Sequence, residues 1–85
     1  MSIKILYFAS LREALGCAEE ELAAIPAGVD TLGALRAWLC ARGGDWAALR
    51  AGQAVRAAIN QTLAQAHSPL AEGDEIAFFP PVTGG

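Results

Sequence analysis

Hydrophobic and polar positions alternate near both ends of the chain and follow helical spacing in the middle. Residues 3 to 9, Ile3-Lys4-Ile5-Leu6-Tyr7-Phe8-Ala9, are β-branched and aromatic and predict a first strand. Alternation sets Ile3, Ile5 and Tyr7 on one face and Lys4, Leu6 and Phe8 on the other. Lys4 marks the second face as the outer one, which leaves Leu6 and Phe8 where water is expected. Ser10-Leu11-Arg12-Glu13 fits a capping box with Ser10 as N-cap, opening a short helix that Gly16 stops. Glu19 to Ile25 reads as a second strand or a helical turn. The Pro26 to Gly28 turn that follows favours the strand.

Asp30-Thr31 forms the N-cap region of the main helix, expected from Leu32 to about Arg42. Leu32, Leu35 and Leu39 share one face of it, with Trp38 beside them. Gly43-Gly44 supplies a left-handed stop. Asp45 caps a further short turn carrying Trp46 and Leu49. Val55 to Ile59 predicts a third strand, Asn60-Gln61 a turn, and Thr62 to Ala66 a fourth strand that His67-Ser68-Pro69 breaks. Glu72-Gly73-Asp74 turns the chain into a last strand, Glu75 to Phe79. There Ile76 and Phe78 share one face, and Glu75, Ala77 and Phe79 the other. One main helix laid across one mixed sheet of about five strands makes a two-layer α+β domain. The expected boundaries are a domain over residues 1–79 and a tail over 80–85.

Composition sharpens this picture in one respect. Hydrophobic residues make up 54% of the 85 positions, a high share for one small domain. Nineteen of those 46 residues are alanine, and the other 27 suffice for an ordinary core. The excess that needs a reason is therefore small: large apolar side chains on faces marked polar.

Charge and motif content exclude several function classes. The net charge is −3 and the arginines are scattered, so nucleic-acid binding is not expected. The longest large-apolar segment, Ile5 to Ala9, is far short of a membrane span, and the reading is a cytoplasmic protein. Cys17, Cys40 and His67 fall one ligand short of a Cys/His zinc site, so no metal is expected and both thiols are read as reduced. There is no Gly-rich phosphate loop and no Gly-x-Ser-x-Gly elbow. Glu19, Glu20 and Glu21 read as a solvated run, His67 as a loop residue, and the Trp pair as core.

The C-terminus carries the remaining chemistry. Pro80 and Pro81 lack N–H groups and fix φ, so they end the sheet and hold the chain extended. Gly84 and Gly85 have no side chains and can enter a channel too narrow for a Cβ. Six extended residues reach about 20 Å, enough to carry a terminal carboxylate into a partner's active site.

These residues together resemble a known family, the small subunits of molybdopterin synthase, which are sulfur carriers of β-grasp, ubiquitin-like fold. The likeness runs from end to end. Ile3 to Ala9 with Leu11-Arg12-Glu13 resembles the family's first strand and turn, and Ile59-Asn60-Gln61 its mid-chain turn. The most specific block is Pro69-Leu70 with Gly73-Asp74-Glu75-Ile76-Ala77-Phe78-Phe79-Pro80-Pro81-Val82-Thr83-Gly84-Gly85. Residues 17 to 58 are alanine-rich and carry little of the likeness.

The resemblance implies a mechanism. An E1-like adenylating enzyme consumes ATP to activate the carboxylate of Gly85. A persulfide donor replaces AMP with sulfur, and the resulting thiocarboxylate delivers sulfur to cyclic pyranopterin monophosphate, building the molybdopterin dithiolene. Pro80, Pro81, Val82, Thr83 and Gly84 then form the segment inserted into the large subunit, in a two-plus-two heterotetramer. The chain binds no cofactor and holds no complete active site of its own. If the first and last strands are neighbours, Phe8 and Phe79 form one apolar patch, with Leu63 as a third contact, and such patches mark partner surfaces. Other carriers of thiamine or cysteine synthesis, a covalent modifier joined to lysines through Gly85, and a binding module with an inert tail stay open as alternatives.

Overall fold

The first and last strands lie side by side at the centre of a five-stranded mixed sheet. The computed structural model describes residues 2–49 and 55–80. The strands are β1 (Ile3–Tyr7), β2 (Glu19–Leu22), β3 (Arg56–Ile59), β4 (Thr62–Ala64) and β5 (Glu75–Phe79), in the order β2-β1-β5-β3-β4. β1 and β5 are parallel, and the remaining pairs are antiparallel. Two helices, α1 (Ser10–Leu15) and α2 (Leu32–Cys40), and a 3-10 helix at Gly44–Leu49 complete the described residues. This is the α+β, β-grasp arrangement that the sequence predicts: five mixed strands, one main helix and short extra helices.

The alternating pattern divides the sheet. Ile3, Ile5, Tyr7, Ile76 and Phe78 are buried on its inner face, and Leu32, Leu35 and Leu39 of α2 pack down on them. Leu11 of α1 and Leu49 of the 3-10 helix close the ends of this core. Fully burying side chains of this size contributes roughly 1.5–3 kcal/mol each, so the inner face holds the fold together.

Turns fix the register. Asn60 and Gln61 both take positive φ, 50° and 70°, which suits a two-residue hairpin between right-twisted strands. The Asn60 side chain then donates to Asp74 Oδ1 at 2.9 Å and accepts from the Glu75 backbone N–H at 3.0 Å. The hairpin tip is thereby tied to the start of β5. The N-terminus of α2 is capped twice over. Thr31 Oγ1 accepts from Ala34 N–H, and the Leu32 and Gly33 N–H groups donate to the Ser68 and Ala66 carbonyls. Gly33 lets the two segments approach closely: a Cβ would stand 3.0 Å from the Ala66 oxygen, and the neighbour would have to give by a few tenths of an ångström.

Several expectations need correction. Ser10 is the first helical residue and not the cap. Ala9 occupies the cap position with φ 53° and offers no side-chain oxygen, so the capping box does not form. α2 ends at Cys40, two residues early, because the chain turns through Ala41 and Arg42 before the left-handed Gly43 and Gly44. β2 stops at Leu22, β3 starts at Arg56 rather than Val55, and β4 stops at Ala64 rather than Ala66, since residues 65–68 turn away to cap α2. β5 ends at Phe79 and Pro80 is the last described residue; of the expected tail, Pro81, Val82, Thr83, Gly84 and Gly85 lie outside the described residues.

Candidate functional site

Strand pairing builds an apolar row on the outer face. Cross-strand partners share a face, so Leu63 pairs with Ala58, Ala58 with Ala77, and Ala77 with Leu6. Four apolar residues from four strands therefore line up across the surface opposite α2. Two positions further along β5 from Ala77 stands Phe79, flanked by Arg56 of β3. One step beyond the paired Tyr7 and Phe78, Phe8 leaves β1 with its N–H donating to the Phe78 carbonyl at 3.1 Å. Phe8 is 46% exposed and Leu63 68% exposed, while Phe79 is half-buried. The three residues singled out in the sequence thus sit on one side of the sheet, Phe8 and Phe79 at the end where the chain leaves β5 and Leu63 in the mid-strand row with Ala77.

Leu6, Ala58, Ala77 and Arg56 complete this surface. Alternation already set Leu6 beside Phe8. The other three required the pairing register, which one strand read alone cannot supply. A pocket of about 310 Å³ opens between α2 and the β3–β4 hairpin, lined by Gly33, Arg36, Arg56 and Leu63 among others. It contains no carboxylate, thiol or imidazole and offers shape and positive charge rather than catalytic chemistry.

The inner side of the sheet's other end is polar and closed. Glu20 departs from the solvated run expected for it: it points inward, where Arg42 grips it at 2.8 and 3.1 Å and the Tyr7 hydroxyl donates to it at 2.7 Å. Burial pushes the Glu20 carboxyl up, but the hydrogen bonds from Arg42 and Tyr7 and the Arg42 charge outweigh it and hold the group below its ordinary range. Burial, then the bond to Glu20, raises the Tyr7 phenol far above its usual value, so it stays protonated. The Arg42 guanidinium also lies 5.0 Å from the Trp38 ring and 4.4 Å from the Trp46 ring. Trp38 is consequently a surface lid over Arg42 rather than the core residue expected, whereas Trp46 packs against the core and meets Tyr7 edge-on. This cluster latches α2 and the 3-10 helix to β1 and β2.

Cys17 and Cys40 are free and half-buried, and His67 is exposed. Among the described residues no cluster of three or more His, Cys, Asp or Glu has the geometry to hold a metal, and no helix is long and apolar enough to cross a membrane. The outer face and the tail root are accordingly the candidate site, and the reactive group expected there, Gly85, lies outside the described residues.

Known proteins match this architecture over its whole length. The model of the ThiS family matches residues 5–85. The chain is 46% identical to the molybdopterin synthase sulfur carrier subunit of Escherichia coli, over 98% of this chain and 99% of the relative. Its structure is similar to that of a Helicobacter pylori chain solved in a complex of subunits 1 and 2 of molybdopterin-converting factor, with a TM-score of 0.65, 27% identity and full coverage of both chains. It is also similar to small archaeal modifier protein 1 from Methanosarcina acetivorans, with a TM-score of 0.72, 25% identity and coverage of 99% and 96%.

Proposed function

The chain belongs to the ThiS family, and on that premise we propose that it is the sulfur carrier subunit of a molybdopterin synthase. A carboxylate is a poor electrophile, so Gly85 must first be activated; adenylation by an E1-like enzyme at the expense of ATP does this. Attack by the outer sulfur of a persulfide donor expels AMP and forms an acyl disulfide; a second thiol then cleaves its S–S bond, leaving a thiocarboxylate on Gly85 and a disulfide on the donor. Its sulfur passes to cyclic pyranopterin monophosphate held by the large subunit, and two such transfers make the dithiolene. The chain itself supplies the reactive end, a slim lead-in from Pro80 to Gly84, and a docking face. It needs no bound cofactor for this work.

The observation that carries the proposal is the outer face. Leu63, Ala58, Ala77 and Leu6 form a row that ends beside Phe8 and Phe79, at the root of the Gly-Gly tail. A partner seated on this row receives the tail at the edge of the contact. Likeness to the complex of subunits 1 and 2 supports a large subunit as the partner, and the assembly proposed with it is a two-plus-two heterotetramer. Reconstitution tests this: large subunit, pterin precursor and chemically thiocarboxylated chain should yield molybdopterin, and deletion of Gly85 should abolish it. Absence of product with the intact thiocarboxylated chain would overturn the proposal.

The likeness to a small archaeal modifier favours a second reading, in which activated Gly85 forms an isopeptide bond with a target lysine. Gly-Gly remnants on cellular lysines would support it. Their absence, with sulfur found on Gly85, favours the carrier.

A further inference from the structure

Carboxylates and guanidinium groups sit apart on this sheet. Glu19, Glu20 and Glu21 lie on β2, which forms one edge, and Glu75 opens β5 at the end away from Phe79. Glu19 pairs with Lys4, and Glu20 with Arg42. Arg36 and Arg56 line the pocket beside β4, the opposite edge. None of the nine Asp and Glu residues lines it, and Arg56 makes no ion pair with any described residue. The chain carries a net charge of −3, so the pocket is a local reversal of its sign.

The pocket has the build of a carboxylate receptor. Buried Leu32 and Ala57 supply apolar wall, and the Arg36 Nε–H donates to the Leu49 carbonyl, which holds that side chain in place. Low-dielectric walls focus the field of a charge at the mouth, and a guanidinium offers a planar fork of donors that matches a carboxylate. At about 310 Å³ the pocket has room for an acidic side chain together with an apolar neighbour. Position decides the occupant. Arg56 stands opposite Phe79, and Leu63 is in register with Ala58 of the outer row. Both also line the pocket. A partner that covers Phe79 and Leu63 therefore crosses the pocket mouth and meets positive charge there.

We propose that the pocket between α2 and the β3–β4 hairpin receives a Glu or Asp side chain of the partner seated on the outer face. Arg56 is the cation that meets this acid, and Leu63 packs against the acid's apolar neighbour. The proposal rests on the function proposed above, which makes that partner the large subunit. An ion pair with an exposed guanidinium is a modest effect, so the pocket selects a partner with an acid at this point more than it tightens the complex.

Titration calorimetry of the full chain against the large subunit, at about 50 mM and about 500 mM sodium chloride, tests this. Arg56→Gln should bind about fivefold more weakly than wild type at low salt, and the gap should shrink to less than about twofold at high salt, where the pair is screened. Arg56→Lys keeps the charge without the fork and should fall between them. Circular dichroism confirms that each variant is folded. Phe79→Ala separates this proposal from the reading beneath it. If Phe79→Ala weakens binding while Arg56→Gln matches wild type at both salts, the outer face stands and the pocket proposal falls. If neither variant differs from wild type, or wild type does not bind, both fall. An Arg56→Gln loss of equal size at both salts would also overturn the proposal, because packing rather than charge would then be lost. Succinate binding to the lone chain, abolished in Arg56→Gln while both chains bind the large subunit alike, would assign the pocket to a small anion instead and overturn it too.

Discussion

Phe78 and Phe79 follow one another in β5, yet one is sealed from water and the other lies half-covered on the opposite face. The same contrast runs through the whole sheet. On the inner face every large apolar side chain has a partner: Phe78 stacks on Tyr7, and α2 covers Ile3, Ile5 and Ile76. Where that side turns polar, Glu20, Tyr7 and Arg42 satisfy one another. On the outer face Leu63, Leu6, Phe8 and Phe79 have no layer above them among the described residues. The inner face holds the fold together, and the outer face is the one proposed to receive the partner.

Breaking the inner face should have the largest effect on stability. Phe78→Ala removes a fully buried ring and should cost about 3–5 kcal/mol, read as a loss of the thermal or urea midpoint. Phe79→Ala, one residue on, should leave the midpoint within about 1 kcal/mol while weakening binding to the large subunit by roughly tenfold or more. Titration calorimetry checks the second half, and unchanged affinity would remove the outer face from the account. Leu63→Asp sharpens the same point: it is harmless to the free chain, within about 0.5 kcal/mol, and damaging to the complex.

The latch gives an intermediate effect on the inner side. Arg42→Ala loses a paired guanidinium and two ring contacts, and partial exposure limits the cost to about 1 kcal/mol. Its pH signature has a defined sign. The folded Glu20 carboxyl is held below its unfolded value, so its contribution is present above the ordinary carboxylate range and is lost as pH falls through the folded value. Glu20→Gln should therefore flatten the acid limb of the stability curve and change little near neutrality beyond a constant offset. A limb of unchanged steepness would contradict the assignment.

The division between faces was legible in the sequence because alternation is a local property. Ile3, Ile5 and Tyr7 against Lys4, Leu6 and Phe8 is readable from seven residues, and the structure keeps that division. Gly16 and Thr31 were likewise readable, since a left-handed stop and a side-chain cap are fixed by neighbours. Ser10 misled because Ala9 takes a positive φ and the cap position, and the helix starts one residue earlier than the side-chain chemistry suggests. Glu20 and Arg42 are 22 residues apart, and nothing local turns one glutamate of three inward. Ala58, Ala77 and Arg56 joined the outer surface only through the register of β5 with β3, a long-range fact. Gly85 as the reactive end rests on residue type, chain position and family likeness, and it lies outside the described residues.

The central claim is that sulfur travels on Gly85. Intact-mass and C-terminal peptide spectrometry of the chain recovered from cells making molybdopterin tests it most directly. The account predicts a fraction of chains heavier by one sulfur-for-oxygen exchange, localised to Gly85 and lost when the activating enzyme is absent. A C-terminal peptide that is only the plain carboxylate in such cells, with and without that enzyme, would contradict it.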